Sequence, residues 1–203
     1  MRQLFDAVGE GDLAAVQAAV AGGASVRAHR YTRDGETPLH DACFKGHLDI
    51  AQWLHSAGAS IDATNSGGET PLHRACIGGH FAIAQWLHSA GASVDTINSV
   101  GQTPLHRASY TGHLDVAQWL HREGASVNAT DNGGYTPLHN ACINGRLEMA
   151  RWLCSIGADA TLKESEGSTP AQLLQRRVRT VQFDPQALRS TLACLVRRAQ
   201  AQG

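Results

Sequence analysis

The sequence predicts an all-α repeat solenoid: stacked helix-turn-helix units with β-hairpin loops projecting from one side. Three observations carry this. The tetrad Thr37-Pro38-Leu39-His40 recurs at Thr70-Pro71-Leu72-His73, Thr103-Pro104-Leu105-His106 and Thr136-Pro137-Leu138-His139, and decays at Thr169-Pro170-Ala171-Gln172, each step being 33 residues. A fixed period of this length marks a repeat architecture. The segments Gly46-His47-Leu48, Ala51-Gln52-Trp53-Leu54-His55 and Gly58-Ala59-Ser60-Ile61 have counterparts at the same interval. The 21 glycines among 203 residues fall at spaced positions and not in clusters.

Each element of the unit follows from its residues. Threonine is a good N-cap, and proline suits the first helical position because its missing N–H would be unpaired there anyway. Thr37-Pro38 therefore starts a short helix, which Gly46 stops as a left-handed C-cap. A second helix runs over about 48–57 and ends at Gly58. Residues 59–69, with Asn65-Ser66-Gly67-Gly68 at the tip, form an arm that turns back on itself. At about 100° per residue, Leu39, Ala42 and Cys43 share the buried side of the first helix. In the second, Ile50, Ala51 and Leu54 lie opposite a polar stripe of Asp49, Gln52 and Ser56. Helices under roughly 12 residues are marginal alone in water, so stability must come from stacked neighbours.

With its TPLH tetrad and its 33-residue period, the sequence resembles the ankyrin-repeat family over nearly its whole length. The resemblance implies a non-enzymatic protein-binding module. The expected organisation is an N-terminal capping repeat at 1–33, repeats at 34–66, 67–99, 100–132 and 133–165, and a divergent capping repeat with a basic helix at 166–203. The first unit lacks TPLH but keeps Gly11-Asp12-Leu13 and Gly23-Ala24-Ser25-Val26. Its hairpin is longer and basic, carrying Arg27, His29, Arg30, Tyr31 and Arg33. In the last unit Asp184-Pro185 reads as an N-cap and first turn. The helix it opens carries Leu188, Leu192, Leu195 and Val196 on one face, which together with Leu174 should close the stack, and Arg177, Arg179, Arg189, Arg197 and Arg198 of this last unit lie on the outside.

Charge narrows the function classes. The net charge is −1, which gives no argument for nucleic acid, although the stretch from Gly167 onward is +5 and the remainder −6. No apolar run is long enough for a membrane span or signal peptide. Cys43, Cys76, Cys142, Cys154 and Cys194 are odd in number and form no CxxC pair, which fits buried reduced thiols in a cytoplasmic or nuclear setting. His40/Cys43, His73/Cys76 and His139/Cys142 stand three apart on a helix, yet each cysteine falls on the core side, and Ser109 breaks the series beside His106. No metal, no cofactor and no catalytic residue is expected. In the family the TPLH histidine is structural and bonds backbone between units. Trp53, Trp86, Trp119 and Trp152 should form a ladder against His55, His88 and His121 of adjacent repeats.

Specificity is expected where the repeats differ. Asp41, Arg74, Arg107 and Asn140 follow the four tetrads, and Phe44, Ile77, Tyr110 and Ile143 stand three residues later. Helical phase turns both sets away from Leu39 and Cys43, toward the side bearing the hairpins. Large apolar residues on such a face read as partner contacts, or else as padding between first helices. The tips also vary: Asn65-Ser66-Gly67, Asn98-Ser99-Val100, Asp131-Asn132-Gly133 and Glu164-Ser165-Glu166. The expected function is that of an adaptor or scaffold, a monomer holding another protein, and neither nucleic acid nor membrane, in its concave groove. Arg74 and Arg107 suggest a partner segment mixing apolar and acidic residues. The second reading, a ubiquitin-ligase substrate receptor, rests on a C-terminal helix reminiscent of an adaptor-binding box. That box needs Cys four positions after its Leu, and here Leu188 is followed by Leu192. The family resemblance also implies Asn128, in Ala125-Ser126-Val127-Asn128, as a candidate for asparaginyl hydroxylation.

Overall fold

A computed structural model describes residues 2–29 and 34–202, which hold twelve helices and no strand. Arg30, Tyr31 and Arg33 of the first hairpin lie outside the described residues. The chain divides into two compact units, residues 1–99 and 100–203. The N-terminal unit contains α1 (Arg2–Glu10), α2 (Leu13–Ala21), α3 (Pro38–Lys45), α4 (Leu48–Ser56), α5 (Pro71–Gly78) and α6 (Phe81–Ser89). The C-terminal unit contains α7 (Pro104–Thr111), α8 (Leu114–Arg122), α9 (Pro137–Ile143), α10 (Leu147–Ser155), α11 (Pro170–Val178) and α12 (Pro185–Gln200).

Helices this short survive because both ends are capped and one face is buried. Thr37, Thr103 and Thr136 take extended backbone angles, and their hydroxyls accept from the backbone N–H of the histidine three residues on. Gly46 stops α3 with φ 90°, a region closed to most side chains. An added Cβ at Gly46 would also stand 2.6 Å from the ring of His80, so the next repeat leaves no room for one.

In the N-terminal unit α3 packs on α1 and α5, and α4 on α2 and α6. Leu39, Ile50, Leu54, Leu72, Ile83 and Leu87 are fully buried there. In the C-terminal unit α9 packs on α7 and α11, and α10 on α12, over Leu105, Leu120, Leu138, Met149 and Leu153. Each such side chain contributes about 1.5–3 kcal/mol on leaving water. The polar stripe of Asp49, Gln52 and Ser56 is exposed, opposite the buried Ile50, Ala51 and Leu54.

Two details of the sequence reading need correcting. The projecting arms are tight turns and not β-hairpins. Asn65 N–H donates to Glu69 O at 3.0 Å within one tip, and a backbone bond joins one tip to the next, such as Ser99 N–H to Gly67 O at 2.9 Å. Among the described residues these arms contain no strand. At the C-terminus, α12 does close the stack, with Leu195 and Leu174 buried and Asp184 accepting from Ala187 N–H at 2.6 Å. Val196, expected on that closing face, is half exposed, because Leu195 takes the inward position. Arg198, expected outside, folds back so that its Nε donates to Ala158 O at 3.3 Å.

Candidate protein-binding surface

Two tetrad histidines, His40 and His106, are fixed on both ring nitrogens. His40 Nδ1 accepts from Thr37 N–H at 3.2 Å and from the Thr37 hydroxyl at 2.8 Å, while Nε2 donates to Glu69 O of the next repeat at 2.9 Å. His106 repeats the pattern with Thr103 and with Tyr135 O at 3.0 Å. Burial holds the pKa of His40 down to about 4 and lowers those of His106 and His139. His40 and His106 are neutral hydrogen-bond bridges with both nitrogens engaged, whereas His139 is held through Nδ1 by Thr136. Cys43, Cys76 and Cys142 beside them are fully buried, and desolvation pushes their thiols far up. Among the described residues no group of three or more His, Cys, Asp or Glu side chains could hold a metal ion.

The histidine–tryptophan ladder is present within each unit. His55 meets Trp86 edge-on at 5.9 Å, and His121 meets Trp152 at 6.1 Å. A second set of staples escaped the sequence reading although its signal was there, in the residue after each first-helix glycine. His80 Nε2 donates to Phe44 O at 2.9 Å, and Arg146, at the same repeat position, donates through Nε to Tyr110 O at 3.2 Å. Both satisfy a last-turn carbonyl that a short helix leaves without an internal partner. In the final repeat the ring of Phe183 fills this place over Gly145.

The eight residues expected to contact a partner separate by environment. Asp41 and Asn140 are buried, at 5% and 6% exposure, and not solvent-facing as expected, because the neighbouring first helices close over their short side chains. Arg74 Nε lies 2.7 Å from Glu36 Oε1, Nη1 lies 3.5 Å from Glu69 Oε2, and the guanidinium stacks 4.3 Å from the Phe44 ring centroid. Glu36 is itself buried, and desolvation, then a hydrogen bond with Asp41, raises its carboxyl pKa. Asp41, Phe44 and Arg74 thus belong to one internal cluster, and the Arg74 charge is already matched. Ile77 is half-buried. In the C-terminal unit Arg107 Nη1 donates to Gln102 Oε1 at 3.2 Å, and Ile143 is half-buried. Tyr110 stands apart, 48% exposed.

The tips divide in the same way. Asn65 Oδ1 accepts from Gly67 and Glu69 N–H, Asp131 Oδ1 from Gly133 and Tyr135 N–H, and Glu164 from Glu166 and Ser168 N–H. The first residue of these tips holds the turn. The sequence reading passed over Ile97, which is 65% exposed where the neighbouring repeats carry Thr64 and Thr130. Asn128 is exposed, and its Oδ1 accepts from Asp159 N–H at 2.8 Å.

A profile described as "Ankyrin repeats (many copies)" matches residues 4–55 and 39–88, and one described as "Ankyrin repeats (3 copies)" matches 90–164. The chain belongs to the ankyrin-repeat family. Its ankyrin repeats are similar to protein phosphatase 1 regulatory subunit 27 of Homo sapiens, 47% identical over 62 residues, which is 30% of this chain and 39% of that protein. The Mus musculus counterpart is 45% identical over 62 residues with the same coverage. The chain spans about two fifths of the length of these curated relatives. Among the described residues no helix is long and apolar enough to cross a membrane.

Proposed function

We propose that this chain is a non-catalytic adaptor that acts in the cytoplasm or nucleus and holds another protein against its first-helix surface, with Tyr110 as the anchor. The observation that carries this is the exposure of Tyr110 at a position where Phe44 is covered by Arg74. Exposed aromatics next to guanidinium groups are the side chains that dominate interfaces. Arg107 lies one turn before Tyr110, and Arg146 bonds its carbonyl. That setting favours a partner segment with an apolar side chain flanked by a carboxylate. In the N-terminal unit a separate exposed apolar side chain, Ile97, is offered from a tip. Within the C-terminal unit Asn140 acts in this reading as support, while Arg107 and Ile143 border the contact. In the N-terminal unit Asp41, Phe44 and Arg74 are the corresponding support and Ile77 the corresponding border. The reading as an adaptor is supported by the family and by relatives named as regulatory subunits.

The test is affinity capture followed by calorimetry, with protein phosphatase 1 as the first partner examined because the relatives' name points there. Tyr110→Ala should weaken binding of the captured partner by roughly tenfold or more, since hot-spot truncations cost about 2 kcal/mol. The melting temperature should move little. Undiminished affinity, or a collapse in stability, would remove Tyr110 from the interface. The ligase reading is less well supported: Leu195 is spent on closing the stack and Cys194 faces Cys154. Capture of elongin-type adaptors by the intact chain would reinstate it. Asn128 remains the candidate modification, tested by a mass increase of one oxygen after exposure to an asparaginyl hydroxylase.

A further inference from the structure

In the C-terminal unit α12 packs along α10 and brings two thiols together. Cys154, near the end of α10, is buried. Cys194, on α12, is half-buried and is the most accessible of the five cysteines. Four residues beyond each cysteine, Arg198 Nε donates to Ala158 O at 3.3 Å, which sets the Cys194 face of α12 against the Cys154 end of α10, and the two thiols interact electrostatically. Facing positions on packed helices come within the span of a covalent link. Packed helix axes lie about 8–10 Å apart and Cα atoms about 2.3 Å from each axis, so facing Cα atoms at a close crossing stand roughly 3.4–5.4 Å apart. Disulfides span about 4.4–6.8 Å between Cα atoms. Cys43, Cys76 and Cys142 are fully buried, with no path to an oxidant in the folded protein.

We propose that Cys154 and Cys194 form an oxidation site, which hydroperoxide converts to a disulfide tying the closing helix α12 to α10. Cys194 reacts first. Its sulfur attacks one peroxide oxygen, the O–O bond breaks, and the other oxygen leaves as water with the thiol proton, giving a sulfenic acid. The Cys154 sulfur then displaces the sulfenic hydroxyl: the S–S bond forms, the S–O bond breaks, and the hydroxyl leaves as water with the Cys154 proton. Two thiols lose two electrons and two protons, and the peroxide is reduced to two waters. The order agrees with the surroundings. Burial, then Cys194, pushes the Cys154 thiol up, although the Arg198 charge pulls the other way. Cys154 is therefore the poorer initial nucleophile and the natural resolving partner.

The consequence is a closing helix whose attachment depends on redox state. Reduced, α12 is held by the packing of Leu195 and its neighbours and by the Arg198 bond to Ala158 O; oxidised, the bridge closes a loop of about 40 residues and restricts the unfolded chain.

The test treats the reduced full chain with hydrogen peroxide, blocks remaining thiols and digests with trypsin. Cleavage isolates Cys154 in peptide 152–163, Cys194 in 190–197 and Cys142 in 123–146, one cysteine each. The expected product is 152–163 linked to 190–197, two hydrogens lighter than the separate peptides. The melting temperature should rise by roughly 5–10 °C and fall back on adding a dithiol reductant. Cys194→Ser should abolish the link and the shift while leaving the reduced protein's melting temperature unchanged. Cys154→Ser should leave the sulfenic acid at Cys194 unresolved, so that dimedone labels 190–197. The proposal is overturned by a Cys142–Cys154 link, by bridges between chains, or by Cys194 passing to sulfinic acid while Cys154 remains alkylatable.

Discussion

Replacing His40 by Gln separates the bridging role of the tetrad histidine from its titration. The substitute has a precedent in this chain: Gln172 occupies the tetrad position of the last repeat, where its Oε1 accepts from Thr169 N–H at 2.8 Å. In His40 the Nδ1 atom accepts from Thr37, so protonating it sets a ring N–H against a backbone N–H. Burial opposes the charge as well, and together they hold the folded pKa at about 4. An unfolded histidine titrates near 6.5. Between these values the unfolded chain binds more protons, so stability rises with pH across the window and is lost as pH falls from about 6.5 to 4. From pH 7 to pH 5 the loss is about 2 kcal/mol, and it reaches about 3 kcal/mol below pH 4. Urea unfolding at pH 7 and pH 5, at fixed ionic strength, measures it. Glu36, whose raised carboxyl pKa works in the opposite direction, is present in both proteins and drops out of the difference. The wild type should lose about 2 kcal/mol more than His40→Gln over that interval. An equal pH response in the two proteins would refute the assignment of His40 as a buried neutral bridge.

Three further outcomes are expected. Gly46→Ala should cost more than about 2 kcal/mol in urea, because it meets both a positive φ and the His80 ring, whereas Gly124→Ala, with a similar φ but open space, should cost about 1 kcal/mol. Phe44→Ala should lower stability by about 2 kcal/mol through the lost Arg74 stack and packing, while Tyr110→Ala costs under about 1 kcal/mol, the two being compared by thermal melts. Truncation after Ser165 should produce aggregation or a clear loss of stability in light scattering and melting, since Leu174 and Leu195 would leave the face they cover. Gln replacements at the exposed Arg177, Arg179, Arg189 and Arg197 should leave the fold intact at moderate salt.

The repeat itself was legible in the sequence because its signals are local. Thr37-Pro38 caps its own helix, Gly46 permits the left-handed turn that ends it, and the spacing of Leu39, Ala42 and Cys43 marks one face. These depend on bonds and periods within a dozen residues, so composition and order determine them. The histidine–tryptophan contacts were also readable, since a strict 33-residue register converts sequence phase into spatial neighbours. The candidate site was less legible. Helical phase assigns Asp41 and Tyr110 to the same general side, but phase says nothing of what the adjacent repeat lays across it. Only the tertiary structure decided that Asp41 is enclosed, that Glu36 and Phe44 occupy Arg74, and that Tyr110 stays open. The meeting of Cys154 with Cys194 was likewise invisible, because α11 runs past the usual stop and shifts α12 out of the repeat register. The physical reason is common to all of these. A capping bond or a helical face is set by neighbours in the chain, whereas exposure and ion pairing are set by neighbours in space, and the closing repeat abandons the period that elsewhere links the two.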